Sequence, residues 1–167
     1  MTLVVDACIL RSAGTSGKPV PSECRAILEE IKVSSITVSI CDDLLAEWRR
    51  HKSNYSSAWL VAMYSRRLIN KVNGFSGKAD SVESAISKLA EPDRTVALKD
   101  VHLLKVAVDH GYRVVSNERK CRMAFHNASA HYQEIGRVSW IFPAAPMACD
   151  VVAGRCVAPG AWRLSIA

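Results

Sequence analysis

Between Trp48 and Ala79 the chain contains no acidic residue at all. The same stretch holds Arg49, Arg50, Lys52, Arg66, Arg67, Lys71 and Lys78, within a chain of formal net charge +6. Other absences narrow the class of protein. The cysteines Cys8, Cys24, Cys41, Cys121, Cys149 and Cys156 form no Cys-x-x-Cys pair, and no Cys/His cluster has zinc spacing. No glycine-rich loop follows the first apolar run, and no second acid stands two positions after Asp6. Both absences argue against a nucleotide-binding or phosphatase-like site. No apolar run approaches the roughly 20 residues that span a bilayer. Asp6 interrupts the first apolar run and no basic segment precedes it, so a secretory leader is not expected. The expected setting is a reducing cytoplasm, where cysteine behaves as a small hydrophobe.

What is present is an ordinary globular composition, 49% apolar and 23% charged over 167 residues. The expected organisation is one domain over 1–143 and a C-terminal tail over 144–167 with no clear period, packed on the domain as a hairpin or extended arm. Leu3 to Val5 is an apolar run without polar alternation, which suits a strand buried on both faces. Ser12 to Pro21 reads as a loop, and Glu23 to Lys32 as a helix. Ile36 to Ile40 is a second strand, with Ser39 the expected cap of the helix that carries Glu47. Tyr55 to Val72 reads as one helix, Ala79 to Ala90 as another, and Asp100 to His110 as a third, stopped by Gly111. Tyr112 to Val115 is a strand, 120–130 a helix and Val138 to Phe142 a closing strand. Strands alternating with helices predict a three-layer α/β/α fold around a mostly parallel sheet of about four to five strands.

The acids fall in a pattern. Parallel α/β sheets hold ligands at the carboxyl ends of their strands. Asp6 follows the first strand, Glu118 follows the third, Asp100 opens the helix before that third strand, and Glu47 lies on the helix after the second. Four carboxylates brought together repel one another unless a cation neutralises them. Oxygen-only donors suit a hard ion such as Mg²⁺ or Mn²⁺, which can hold phosphate oxygens and activate water. Each acid also has a plainer reading: Asp100 as an N-cap, Glu47 as a surface residue paired with His51 or Arg50, and Glu118 as a turn residue. Asp6 is the hardest to treat this way, because an acid directly after a buried strand is costly unless used or exposed. His102 is expected to face solvent, and no Ser/His/Asp or Cys/His arrangement stands out.

Trp48, Tyr55, Trp59, Tyr64 and Phe75 are interleaved with the cations of the acid-free stretch. Cations bind phosphate without reading sequence and aromatics stack on unpaired bases. Arg49, Arg50, Lys52, Arg66 and Arg67 are the candidate RNA-binding residues. The alternative is a solvated helix face whose aromatics point into the core.

At these residues the chain resembles the PIN-domain family of metal-dependent ribonucleases. Val4-Val5-Asp6-Ala7-Cys8-Ile9-Leu10 is similar to the family's first strand and its acid. Ile36 to Ser39 with Leu44-Leu45-Ala46-Glu47-Trp48 resembles the second strand and its acid-bearing helix. Lys99-Asp100-Val101-His102-Leu103-Leu104 resembles the segment of the third acid. Val114-Val115-Ser116-Asn117-Glu118 resembles the strand and turn of the fourth, and Ser139 to Pro143 a closing strand. The resemblance spans about residues 1–143 and implies a Mg²⁺- or Mn²⁺-dependent endoribonuclease with catalytic Asp6, Glu47, Asp100 and Glu118. It implies Asp6, Asp100 and Glu118 as metal ligands, Ser116 and Asn117 in support, and water as the nucleophile. It further implies RNA as substrate, an antitoxin protein as partner if the chain is the toxin of a toxin–antitoxin pair, and a homodimer. The last acid of the family is usually Asp, whereas here it is Glu118. That departure supports the alternative of a catalytically weak PIN-like RNA-binding or assembly module.

Overall fold

Leu3, Val4 and Val5 have no exposed surface, as a central strand covered on both faces requires. They belong to β1 (Thr2–Val5), the middle strand of a sheet seen in a computed structural model that describes residues 1–165. Asp6 caps α1 (Ala7–Ser12) immediately after the strand. Then follow α2 (Pro19–Val33), β2 (Thr37–Ile40), α3 (Asp42–His51), α4 (Asn54–Ser65) and β3 (Ile69–Lys71). The second half comprises α5 (Gly77–Ser87), α6 (Asp93–Lys99), α7 (Val101–Asp109) and β4 (Arg113–Val115). It continues through α8 (Arg119–Ala128), α9 (Gln133–Gly136), β5 (Ser139–Ile141) and α10 (Ala148–Ala153). Among the described residues no helix is long and apolar enough to cross a membrane.

The strands form one sheet in the order β3-β2-β1-β4-β5, and every pairing is parallel. Helices flank it as a three-layer α/β/α fold. Right-handed crossovers send connections that step in opposite directions along the sheet to opposite faces. The helices accordingly form two groups: α2 packs on α4 and α10, while α5, α6, α7 and α8 pack among themselves. From β1 the chain steps to β2 and β3 on one side, then returns to start β4 on the other. The order therefore reverses between β1 and β4, where the connections diverge and open a crevice beyond the strand ends.

Several local expectations are corrected. The stretch Tyr55 to Val72 is not one helix. The chain leaves α4 at Ser65, Arg67 takes a left-handed φ of 57°, and Ile69 to Lys71 pair with β2 as an edge strand. Exposed Asn70 and Lys71 keep that edge from pairing further. The loop assigned to Ser12 through Pro21 is shorter, because Pro19 starts α2 at the position where its missing N–H costs nothing. Ser39 does not cap α3. It is buried within β2, where its hydroxyl accepts from Asn70 Nδ2 at 3.0 Å, and Cys41 holds the N-cap position. Short α1 and α6 were not expected, since six or seven residues show too little of a period.

Gly111 ends the α7 turn as expected and has a second role. Its φ is +108°, and a Cβ there would lie 2.5 Å from the Thr2 carbonyl oxygen, so β1 and the turn into β4 approach through it. The tail carries α10 against α2, tied by Arg155 to Glu30 at 2.8 Å and to Asp150 at 2.8 Å. It then returns beside β5, with an antiparallel bridge from Arg163 to Ser139 and a bond from Leu164 N to Val138 O of 2.9 Å. The edge strand β5 is thereby covered.

Candidate functional site at the strand-order reversal

The ends of β1 and β4 are stitched together before any side chain is considered. Val4 and Val5 pair with Val114 and Val115, and Asp6 N donates to Val115 O at 3.0 Å. Trp48, fully buried on α3, donates from Nε1 to Val5 O at 3.0 Å and fixes the same corner from the other side. Asp6 and Ser116 are thus delivered to adjacent strand ends.

Asp6 is 6% exposed, and three donors surround its carboxylate. Oδ1 accepts from Cys8 N at 3.0 Å as the cap of α1. Oδ2 accepts from Ser116 Oγ at 2.6 Å and from the Cys8 thiol at 3.1 Å. Burial next to that carboxylate raises the Cys8 thiol well above its ordinary range, so Cys8 acts as a proton donor and not as a thiolate nucleophile. Ser116 Oγ in turn accepts from Glu118 N at 3.0 Å, which shapes the turn after β4. Asn117 turns away from the cleft and supports the loop: its backbone N–H points to Cys8 Sγ at 3.4 Å and its Nδ2 to Cys24 Sγ at 3.3 Å.

Asp100 occupies the break between α6 and α7, with φ −114° and ψ 18°, in the sparsely populated bridge region frequent at active sites. It stands at the N-cap position of α7, yet its side chain makes no capping hydrogen bond. The plain N-cap reading therefore does not account for it. Burial, and then the charge of Asp6, raise its carboxyl above the ordinary range. Cys121 feels the charges of Asp100, Asp6 and Glu118 together. Cys121, Asp6, Asp100 and Glu118 all line one space.

That space is a cleft of about 270 Å³ whose walls include Asp6, Glu47, Asp100 and Glu118. Arg11, Lys99 and Lys120 stand among them. The four acids named from sequence are brought together at the one place that the topology designates. Their carboxylates are nevertheless not closed on one point. Among the described residues no three His, Cys, Asp or Glu side chains are arranged to hold a metal ion. The reason is visible in each partner. Asp6 is held by its three donors, Glu118 leans towards Arg11 at 3.9 Å, and Glu47 lies against His102. The carboxylate oxygens of Asp6, Asp100 and Glu118 on this cleft are still the donor type that a hard divalent cation takes.

His102 overturns the expectation of a solvent-facing histidine. It is 7% exposed, and its Nε2 lies 3.3 Å from Glu47 Oε2 without the alignment of a hydrogen bond. The proximity is real and the bond is not made, so Glu47 is guided by His102 and not locked to it. Glu47 thus pairs with neither His51 nor Arg50, as the surface reading would have had it.

The basic stretch separates into parts. Arg49, Arg50 and Lys52 are exposed on or just after α3, and Arg50 lines a side depression with Glu47, Lys99 and His102. Arg66 and Arg67 precede β3, at the amino ends of the parallel strands and away from the cleft at their carboxyl ends, and Arg66 Nη1 donates to Lys32 O at 3.0 Å. They do not adjoin the cleft. Trp48 and Trp59 are core residues stacked edge to face at 6.2 Å, which is the core-facing reading of those aromatics. The cleft cations Arg11, Lys99 and Lys120 were missed because each is a single charge. Their adjacency to Asp6, Asp100 and Glu118 in the chain was the available signal.

Fold and site define a parallel α/β protein with an acid-and-cation cleft at its strand-order reversal. Comparison with family models, curated proteins and solved structures gave no match, so the functional reading rests on this chain's own residues.

Proposed function

We propose that the chain is a PIN-like endoribonuclease that depends on Mg²⁺ or Mn²⁺ and hydrolyses RNA phosphodiester bonds in this cleft. The observation that carries the reading is the meeting of Asp6, Glu47, Asp100 and Glu118 with Arg11, Lys99 and Lys120 at the reversal between β1 and β4. Acids alone would repel a phosphodiester, and cations alone would bind it without chemistry. The mixture suits a phosphate held by cations beside a carboxylate-bound ion.

Asp6 and Asp100 would hold the ion, with Glu118 completing the set. A divalent ion bound there supplies charge neutralisation and water activation. Ser116 and Cys8 orient the Asp6 carboxylate by direct hydrogen bonds. On the cleft wall the Glu118 carboxylate is paired with exposed Arg11, and such pairs contribute about 0–1 kcal/mol, so releasing it to an ion is a small reorganisation. Arg11, once released, can meet a phosphate oxygen, as can Lys99 and Lys120. Glu47, beside His102, would accept a proton from water.

The test is cleavage of end-labelled RNA in Mn²⁺ and in EDTA. Wild-type chain should cut only with the ion, and Asp6→Asn and Asp100→Asn should not cut. Equal products from wild type and Asp6→Asn would refute the nuclease reading. A second reading, an RNA-binding or assembly module with little catalysis, is favoured by the pairing of Glu118 with Arg11 and by the Asp6 carboxylate already surrounded by donors. It expects RNA bound and left intact in Mn²⁺.

A further inference from the structure

A second cavity, of about 290 Å³, lies against the cleft and shares Cys8, Arg11 and Glu118 with it. The Arg11–Glu118 pair, 3.9 Å apart, is therefore a partition between two adjoining spaces. The far wall of the second cavity is different in kind from the cleft. It has apolar surface from Val20 and Phe142, and Val20 is half exposed although apolar. Arg119 lies over the Phe142 ring, its guanidinium carbon 5.4 Å from the centroid. Glu23 stands at the same wall as a hydrogen-bond acceptor. An arginine plane backed by an aromatic ring is a stacking platform, and nucleobases stack on such planes.

Resting on the ribonuclease reading, we infer that this second cavity is a nucleobase subsite for the nucleotide flanking the phosphate bound in the cleft. A single strand uses it most readily, because a paired base must first be unpaired and unstacked to enter a cavity. The base lies on the Arg119 guanidinium with Phe142 behind it, and Glu23 accepts from an exocyclic amino group. Arg11 sits where the strand passes from one space to the other. Its exchange of Glu118 for backbone phosphate would couple filling of the subsite to release of Glu118 into the cleft.

The experiment is a scan with single-stranded RNAs, each lacking one base, cleaved in Mn²⁺. One position beside the cut should show KM raised about 5- to 100-fold, the range set by loss of one stacked base. Arg119→Ala, at an exposed position, should remove the difference between intact and abasic RNA at that position while other positions are unaffected. A duplex of the same sequence should be cut poorly. A flat scan with cleavage intact would overturn the subsite and leave the nuclease reading standing. Full retention of the abasic penalty in Arg119→Ala would also overturn it. Absence of both cleavage and binding by the wild-type chain would overturn the two together. The wild-type scan needs no variant, so misfolding of Arg119→Ala, monitored by circular dichroism, cannot imitate a result.

Discussion

Replacing Asp6 with alanine should destabilise the chain as well as inactivate it, and the two losses can be separated. Three donors converge on this carboxylate: Cys8 N at 3.0 Å, the Cys8 thiol at 3.1 Å and Ser116 Oγ at 2.6 Å. Loss of an N-cap costs about 1 kcal/mol. A buried hydroxyl left without its acceptor costs about 1–3 kcal/mol, and Ser116 is fully buried. The thiol bond is weak and adds little. Against this, removal of the charge relieves Asp100, whose carboxyl Asp6 helps to raise. Asp100 owes its shift first to burial, so that relief is the smaller effect. The net expectation is a loss of about 2 kcal/mol or more, which lowers Tm by about 4–8 °C or more in a chain of this size. Asp6→Asn keeps an acceptor for Cys8 N and should fall between Asp6→Ala and wild type. Both variants should be inactive. Thermal melts followed by circular dichroism in metal-free buffer give the ranking. If Asp6→Ala melted within about 2 °C of wild type, or Asp6→Asn melted below it, the account of this corner would be wrong.

Asp100 should behave oppositely. Its folded carboxyl binds a proton more tightly than in the unfolded chain, through burial and the charge of Asp6. The stability so gained is fully present below the unfolded value of about 3.9 and is lost as pH rises through the folded value. Asp100→Asn should therefore melt above wild type at neutral pH without metal, and the gap should close on acidification. Mn²⁺ at about 100 times its Kd should stabilise wild type by about 2.7 kcal/mol, and neither Asp6→Asn nor Asp100→Asn should respond; a wild-type Tm indifferent to Mn²⁺ would count against the metal. Lys99→Ala with Lys120→Ala should flatten the salt dependence of RNA binding by about 2 phosphate contacts, whereas Arg66→Ala with Arg67→Ala should leave it unchanged, as nitrocellulose filter binding across a salt series would show. Gly111→Ala should lower Tm steeply, because the new Cβ meets the Thr2 carbonyl at 2.5 Å and the φ of +108° is strained for any side chain.

Much of the architecture is legible in the chain itself. The uninterrupted apolar run before Asp6 announces a strand covered on both faces, and Leu3 to Val5 are completely buried. The alternation of such runs with amphipathic segments yields a parallel α/β sheet, since period and burial are local properties. Gly111 marks the end of α7 because a left-handed position is a single-residue requirement. By contrast β3 was hidden in a helical pattern. Its three residues form a strand only because β2 offers an unpaired edge to Ile69.

The site divides along the same line. Sequence alone determined which acids follow strands and open helices, and so named Asp6, Asp100 and Glu118, while Glu47 rested more on the family resemblance. It could not determine that the strand order reverses between β1 and β4, a property of how the sheet is assembled, and that reversal gives the acids a common cleft. Nor could it separate Arg66 and Arg67 from the cleft, or turn Trp48 from a stacking surface into a support for Val5. His102 and Cys8 became part of the site only through contacts with carboxylates delivered by the folded sheet, and Cys121 through its place on the cleft wall. Backbone preference and burial are written in neighbouring residues, whereas the environment of a side chain depends on groups far away in the chain, such as Ser116, 110 positions from Asp6.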